Sequence, residues 1–262
     1  MDNIAVVITN DNRNVSVKDS IDAIAQAGFK NVFLQWYDNE SEFDQFAQMN
    51  YARSLGLNVI FAHLGYQGIN NIWLDNEEGE ALCNRWINDI KTCKENNIDF
   101  VVIHLTSKTV APDFGPVGLN RFKRICDYAQ SIGVTVAFEN TKIKGYMDYI
   151  LKNITNDNVG FCFDVGHFHA HFNDEFDFDL VKNRIYAVHL HDNFGDKDSH
   201  FLPYDGNINW DSIINDLKYV NYKGYITLEV VYSEKYLDMS ILDYYKKAYD
   251  VACGLKEKLN GW

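Results

Sequence analysis

Side chains able to bind a metal ion or move a proton recur in this chain at the ends of short apolar runs. Imidazole and carboxylate ligands together suit Mn²⁺, Zn²⁺, Fe²⁺ or Co²⁺, whereas oxygen ligands alone favour Mg²⁺ or Ca²⁺. One such residue is usually an ordinary hydrogen-bonded side chain. Six in succession favour a metal site, because crowded carboxylates repel each other without a cation. The six are His63, His104, Glu139, Asp164, His191 and Glu229.

Three further polar residues lie in or after the seventh of these runs. His189 is two residues before His191 and shares a face of the same predicted strand, so we expect it to pack deeper inside the fold. Asp198 and His200 are also two apart, in a long segment after the seventh run. Long segments between elements are often functional, so this pair is either a further pair of metal ligands or part of a solvated loop.

The apolar runs have the composition of buried parallel strands, and segments with helical spacing lie between them. Eight such units in 262 residues predict an α/β fold, a (β/α)8 TIM barrel that forms a single domain over residues 1–262. The alternative is an open doubly wound sheet, which usually has a glycine-rich turn after its first strand; residues 9–14 contain no glycine. The runs are Ile4–Ile8, Asn31–Gln35, Leu57–His63, Asp99–Leu105, Val134–Glu139, Val159–Asp164, Ile185–His191 and Tyr225–Val230.

A TIM barrel carries its chemistry at the carboxyl ends of its strands, so the six run-end residues are expected at one rim. Glycines that precede the next strand are predicted to end helices with a positive φ. These are Gly28, Gly56, Gly133 and Gly224. The long helices are predicted near residues 20–28, 43–55, 77–96, 119–132, 210–220 and 241–259.

Composition narrows the class of protein further. A net charge of -13, with 37 acidic against 24 basic residues, counts against a general nucleic-acid binder. Five cysteines without a CxxC pair indicate free thiols in a reducing compartment. The start lacks a basic region, and no apolar stretch reaches the ~18 residues of a membrane span, so a cytoplasmic protein without a membrane partner is expected. The composition is compatible with a monomer and with a homo-oligomer.

Four segments at these strand ends resemble the xylose isomerase-like TIM-barrel superfamily, which includes sugar isomerases and epimerases and the endonuclease IV group of AP endonuclease family 2. The resemblance covers nearly the whole chain. It implies one metal site made by Glu139, Asp164, His191 and Glu229, from strands five to eight. The segments are Ala137–Asn140, Phe163–His167, His189–Asn193 and Gly224–Val230.

Resemblance to the ketose 3-epimerase branch implies roles for individual residues. Glu139 and Glu229 would move protons at the reacting carbon as well as bind the metal. His167 would contact substrate oxygens, and Lys197 stands where that branch usually has an arginine. His63 and His104 would bind substrate hydroxyls or lie around the metal. The aromatic residues Trp36, Tyr37, Tyr66 and Trp73 either line the substrate pocket or belong to ordinary packing.

Resemblance to the endonuclease IV branch implies a different site with three zinc ions. The net charge and the loop sequences after residues 140 and 191 favour the sugar enzymes instead, although strand two offers Gln35 where many of those enzymes place an acid. The nine matching ligand positions are His63, His104, Glu139, Asp164, His167, His191, Asp198, His200 and Glu229.

These observations lead to three hypotheses. The first is a metal-dependent isomerase or epimerase that acts on a small sugar or sugar derivative through an enediolate, with Mn or Zn as the metal and Co, Fe or Mg as alternatives. The second is a zinc phosphodiesterase that acts on abasic DNA. The third is an inactive barrel that binds a sugar or a partner protein. Lys108, Lys142 and Lys197 are candidates to contact a substrate phosphate, or are ordinary exposed lysines.

Overall fold

The computed structural model describes residues 3–36, 43–172 and 176–261. Eight parallel strands form one sheet in the order β7-β6-β5-β4-β3-β2-β1-β8. The barrel closes because Leu190, just after β7, bridges to Leu228 of β8, and its N–H donates to the Thr227 carbonyl at 2.9 Å. The strands are β1 Ile4–Ile8, β2 Asn31–Trp36, β3 Asn58–Leu64, β4 Phe100–His104, β5 Thr135–Glu139, β6 Val159–Asp164, β7 Ile185–His189 and β8 Ile226–Leu228.

Helices lie between the strands, which confirms the predicted single-domain (β/α)8 TIM barrel. Several helices begin at polar N-caps; Asn76, for example, accepts a hydrogen bond from the Gly79 N–H at 2.8 Å. Two 3₁₀ segments, Ile69–Trp73 and Glu234–Tyr236, follow β3 and β8. The helices are α1 Val17–Ala27, α2 Gln45–Ser54, α3 Glu77–Glu95, α4 Pro116–Ser131, α5 Tyr146–Asn153, α6 Val165–His171, α7 Phe178–Val181, α8 Trp210–Tyr219 and α9 Ile241–Asn260.

Three of the four predicted glycine caps are confirmed, and one is wrong. Gly28, Gly56 and Gly133 have φ values of 109°, 80° and 70°. Gly224 has no positive φ, because α8 ends earlier and Asn221, with φ 55°, makes the left-handed turn instead. Gly224 has a different role, since a Cβ there would lie 2.4 Å from the Tyr222 hydroxyl.

The barrel has an apolar core on both sides of its wall. The larger part lies between the strands and the helices, where Trp86 and Phe122 are fully buried. The smaller part fills the lower half of the barrel, where Phe33 and Phe61 stack with ring centroids 4.5 Å apart. Side chains of this inner layer alternate along each strand with those of the outer core, as the two-residue period requires.

Candidate active site at the carboxyl ends of the strands

The polar cluster lies directly above the inner apolar layer, on the same face of the strands. His104 pairs in register with Glu139, and Asp164 pairs with His189. Each is two residues beyond an inward-facing apolar residue, so its side chain also points toward the barrel axis. The strand ends therefore bring imidazole and carboxylate groups together at the rim where a TIM barrel carries its chemistry.

Glu139 is at the centre of this cluster and is fully buried. Its Oε2 lies 3.0 Å from His63 Nε2 and 3.1 Å from His189 Nδ1. Its Oε1 lies 3.1 Å from His104 Nε2 and 3.1 Å from His167 Nδ1. A carboxylate surrounded by four imidazoles has the ligand types of a divalent transition-metal site.

Asp164, the last residue of β6, connects the cluster to His167 and His191. As the N-cap of α6 it accepts a hydrogen bond from the His167 N–H at 2.6 Å, and its two oxygens lie 3.1 and 3.2 Å from His191 Nε2. Asn140 aligns the two strands, since it donates to the Asp164 carbonyl and accepts from the Asp164 N–H, both at 2.7 Å. Gly166 is required beside them, because a Cβ there would lie 1.9 Å from the His191 ring.

The long segment after β7 folds back over the cluster, because Asp192 anchors it. This buried carboxylate accepts hydrogen bonds from the Trp210 indole at 2.8 Å and from the backbone N–H groups of Tyr204 and Ile208 at 2.9 and 3.1 Å. The fold-back brings Asp198 and His200 to the site. The structure thus places this pair at the cluster and not in a solvated loop.

Asp198 and His200 contact the rest of the cluster directly. Asp198 Oδ2 lies 2.9 Å from His167 Nε2, and its Oδ1 lies 3.3 Å from His200 Nε2. The His200 ring stacks on His191 with centroids 4.0 Å apart. All the histidines and carboxylates that the sequence singled out are therefore within one continuous set of contacts.

The charges in the cluster, together with burial, shift the pKa values of its titratable groups. Burial would raise the pKa of Glu139, but His104 and His189 outweigh it and hold that pKa well below its usual range. Burial would lower the pKa of His200, but Asp198 outweighs it and raises the pKa to about 10. Burial lowers the pKa of His104, and the opposing effect of the Glu139 charge is smaller, so the net shift is downward.

His189 has a larger role than the sequence indicated. It packs in the barrel as predicted, with its ring stacked on Phe33 at 5.3 Å. Its Nδ1 nevertheless reaches the carboxylates, at 3.1 Å from Glu139 and 3.4 Å from Glu229. The His-x-His spacing, which places His189 and His191 on one face, was the available signal.

Glu229 forms part of the wall of the open mouth of the barrel. It follows the last residue of β8 and is 7% exposed, whereas Glu139 is fully buried. Asp11 and Gln35, which were not singled out as site residues, line the same mouth. Their positions at the ends of β1 and β2 could have identified them. Tyr66 lines it too, with its ring stacked 4.5 Å from His104.

Two candidate substrate residues, Trp36 and Lys197, are not among the residues that line the mouth. Trp36 is buried in the outer core, where it packs edge to face on Phe46, because the last side chain of β2 points away from the barrel axis. Lys197 is exposed and has no ion pair within the part of the chain that the structure describes. Lys142 does reach the cluster, with its Nζ 3.8 Å from Asp198 Oδ2. Trp73 is buried, and Tyr37 lies outside the described residues.

The cluster fits a metal ion on its geometry. Ligands around a tetrahedral zinc lie about 3.3–3.5 Å apart, close to the separations seen here. Glu139 Oε1, His191 Nδ1 and Asp198 Oδ1 are buried, and none has a partner in hydrogen-bond geometry within the described residues, although the two carboxylate oxygens lie near imidazole nitrogens. Polar atoms rarely remain unpaired in a buried position unless a water or an ion satisfies them. Groups of ligand atoms within 4.8 Å of each other include Glu139, Asp164 and His167, and also His63, His189 and Glu229.

The fold agrees with the comparisons to known proteins. The chain belongs to the xylose isomerase-like TIM barrel family, whose profile matches residues 21–251. The described ranges, 3–36, 43–172 and 176–261, contain no helix of sufficient length and apolarity to cross a membrane.

Sequence relatives are known in bacteria and archaea. Inosose isomerase of Halalkalibacterium halodurans is 25% identical over 240 residues, which cover 83% of this chain and 80% of that protein. The uncharacterized protein y4fM of Sinorhizobium fredii is 33% identical over 119 residues, or 41% of this chain. The uncharacterized protein MJ1311 of Methanocaldococcus jannaschii is 31% identical over 116 residues, or 40% of this chain. The chain matches only 34% and 40% of the lengths of these last two proteins.

Solved structures share the whole fold. D-Psicose 3-epimerase from Clostridium cellulolyticum H10 superimposes with a TM-score of 0.75 at 14% identity, over 97% of this chain and 98% of that one. The IOLI protein with a bound zinc atom gives a TM-score of 0.77 at 16% identity, over 99% of both chains. At these identities the likeness concerns the fold.

Proposed function

We propose that this chain is a metal-dependent isomerase or epimerase that acts on a sugar or sugar derivative. The observation that carries the proposal is the pair of Glu139 and Glu229, whose carboxylates both contact Nδ1 of His189, at 3.1 and 3.4 Å. Two carboxylates beside one metal site suit removal and return of a proton next to a carbonyl. The inosose isomerase relative supports the same class of reaction.

Each glutamate has a distinct environment that fits this use. Glu229 borders the open mouth and takes the proton from the substrate carbon. In the reverse direction Glu139, which its histidine neighbours hold ionised, takes the proton from the substrate carbon, and Glu229 returns a proton to it. His104 and His167 line the same mouth, where they bind substrate hydroxyls. Glu139, Asp164, His191 and Glu229 would hold the metal, with Mn²⁺ or Zn²⁺ suited to this donor set; a bound metal would supply Lewis-acid stabilisation of the enediolate.

Solvent deuterium exchange tests the proposal. We expect the metal-loaded protein to incorporate deuterium from D₂O into one of a panel of ketoses and inososes, as followed by NMR. Glu229→Gln should lower this rate by about 10²–10⁴-fold and leave the barrel folded, because the residue is at the rim. Glu234→Gln is the matched control, since Glu234 is exposed and pairs only with Arg13 at the surface among the described residues. Exchange at the parental rate in Glu229→Gln would overturn the assignment.

A second candidate is a zinc phosphodiesterase that acts on abasic DNA. The observation in its favour is that extra ligand groups gather around the first, one with His63, His104 and Glu139 and another with His191, Asp198 and His200. Several metal ions at short separation can clamp a scissile phosphate. The net charge of -13 favours the sugar reaction.

Replacement of His104 by Asn separates the two candidates. The sugar reaction predicts one tightly bound metal in parent and variant, with weaker substrate binding or slower turnover in the variant. The phosphodiesterase predicts about three zinc ions in the parent, loss of one in the variant, and nicking of an abasic oligonucleotide by the parent only. Elemental analysis of protein purified without chelator, together with a nicking assay, measures both.

A further inference from the structure

A second cavity, of about 450 Å³, is lined by three members of the cluster and by residues of the loops after β3, β4 and β5. His104, His167 and Asp198 form one part of its wall, and Tyr66 also lines it. Another part of the wall carries two lysines from consecutive loops, Lys108 after β4 and Lys142 after β5, together with Thr106, Ser107 and Thr141. A volume of this size is typical of a site for a small molecule.

Lys108 is held at this wall without an acidic partner. Its backbone has φ 65°, a conformation that costs energy in a residue other than glycine. The loop is pinned by Asn70, which accepts from the Ser107 N–H at 3.0 Å and donates to the Ser107 and Val110 carbonyls. No acidic group of the described residues pairs with the Lys108 ammonium. A cation is thus presented at the cavity wall by an ordered loop.

Lys142 provides the second positive charge of the same wall. Its Nζ lies 3.8 Å from Asp198 Oδ2, a carboxylate that already contacts His167 and His200. Those two imidazoles are nearer to Asp198, at 2.9 and 3.3 Å, so the carboxylate charge is shared with them and Lys142 remains able to bind an anion. The Ser107 hydroxyl, which makes no hydrogen bond within the described residues, offers a neutral donor beside the two lysines.

We infer that this wall binds an anionic group of the substrate, a phosphate monoester or a carboxylate, while the metal-site end of the cavity holds the reacting carbons. This inference rests on the proposed function. A small phosphorylated or acidic sugar fits better than a nucleic acid, because the cavity is compact and the chain has a net charge of -13. A duplex would need several clustered cations along its path.

Binding of inorganic phosphate to the metal-loaded protein tests the inference independently of turnover. We expect calorimetry to detect binding that Lys108→Ala and Lys142→Ala each weaken about threefold to tenfold, and that the double variant weakens by tenfold or more. Lys123→Ala is the matched control, because Lys123 is an exposed lysine of α4 that does not line the cavity. Lys142→Arg should retain binding. Acetate, titrated in parallel, separates a carboxylate site from a phosphate site.

The results also separate this inference from the proposed function. Phosphate binding that is absent, or equally strong in the lysine variants, overturns the lysine site even if neutral sugars are turned over. Lysine-dependent binding of phosphate supports the site even if no sugar tested exchanges deuterium. Tighter lysine-dependent binding of an abasic oligonucleotide than of ketose phosphates would overturn the assignment to a small substrate.

Discussion

Two layers of side chains fill the barrel, and both come from the same strands. The lower layer is apolar and includes Phe33 and Phe61, whereas the upper layer is polar and includes His63, two residues after Phe61. The layers meet where the His189 ring stacks on Phe33. Each strand from β3 to β7 therefore supplies a packing residue and a chemical residue on one face, separated by one repeat of the pleat.

The comparison indicates that stability and chemistry are divided between the layers. The lower layer stabilises the fold by removing apolar surface from water. In the upper layer, buried carboxylates such as Glu139 and Asp164 are stable only beside opposite charge, hydrogen bonds or a metal. Changes in the lower layer should unfold the protein, and changes in the upper layer should alter metal binding and turnover.

The largest effect on stability is expected from the lower layer. Phe61→Ala should lower the free energy of unfolding by about 3–5 kcal/mol, because it leaves a cavity beneath the site. Phe61→Leu should cost less, since it keeps most of the volume. Urea unfolding measures both, and metal analysis of the folded fraction should give the parental stoichiometry. A loss below about 1 kcal/mol in Phe61→Ala would contradict the division between layers.

Removal of a metal from the upper layer should lower the free energy of unfolding by less than Phe61→Ala does. A ligand that binds only the folded state stabilises it by about 2.7 kcal/mol when present at a hundredfold excess over its Kd. We expect chelation to lower the melting temperature accordingly while the far-ultraviolet circular dichroism of the folded protein stays unchanged. Addition of Zn²⁺ or Mn²⁺ should restore the melting temperature. An unchanged melting temperature after complete metal removal would show that the upper layer is stable on its own.

The anchor of the long loop tests how the upper layer is assembled. Asp192→Asn should cost about 1–3 kcal/mol, because an amide replaces one acceptor oxygen among buried donors. Trp210→Phe removes one of those donors and should cost less. Hydrogen exchange of residues 193–209 should accelerate in Asp192→Asn more than exchange in β1. Equal acceleration in both regions would mean that Asp192 supports the whole barrel and not the loop.

The smallest effect is expected for a carboxylate outside both layers. Hydrogen bonding by Arg124 holds the pKa of Glu80 below its usual value. The contribution of ionised Glu80 to the free energy of unfolding is therefore present above about pH 4.3 and is lost as the pH falls through the lowered pKa. Because Glu80 is largely solvated, Glu80→Gln should change stability at pH 7 by no more than about 0.5 kcal/mol, and by less at pH 3. Urea unfolding at both pH values checks this, and a larger difference at pH 3 would contradict it.

Much of the barrel could be predicted because its signals are local. Runs such as Ile4–Ile8 and Val159–Asp164 have the strand bounds that their apolar pattern predicts. The predicted seventh strand is shorter, since β7 ends at His189, and only a single bridge at Leu190 continues it. The His-rich α6 was not predicted as a helix, because its seven residues are too few to show a clear helical period.

The site was predictable in its residue types and less so in its contacts. Strand-end position was enough to select Glu139 and Asp164 as members of one cluster. It could not show that the ammonium of Lys142, and not that of the neighbouring Lys197, contacts the Asp198 carboxylate, since this depends on where two loops meet in space. It also could not place Trp36 in the outer core, because the final side chain of a strand points to either side of the barrel wall.

The sequence by itself determined that eight strands with period-two faces form a barrel and that their carboxyl ends carry metal-binding side chains, because both follow from short-range patterns. Only the tertiary structure decided which of those side chains meet. Asp198 and His200 reach the cluster through the long-range hydrogen bonds of Asp192, and His189 lies among the glutamates because the barrel closes at Leu190. Contacts between residues far apart in the chain depend on how the strands close and the loops pack, which no local pattern contains.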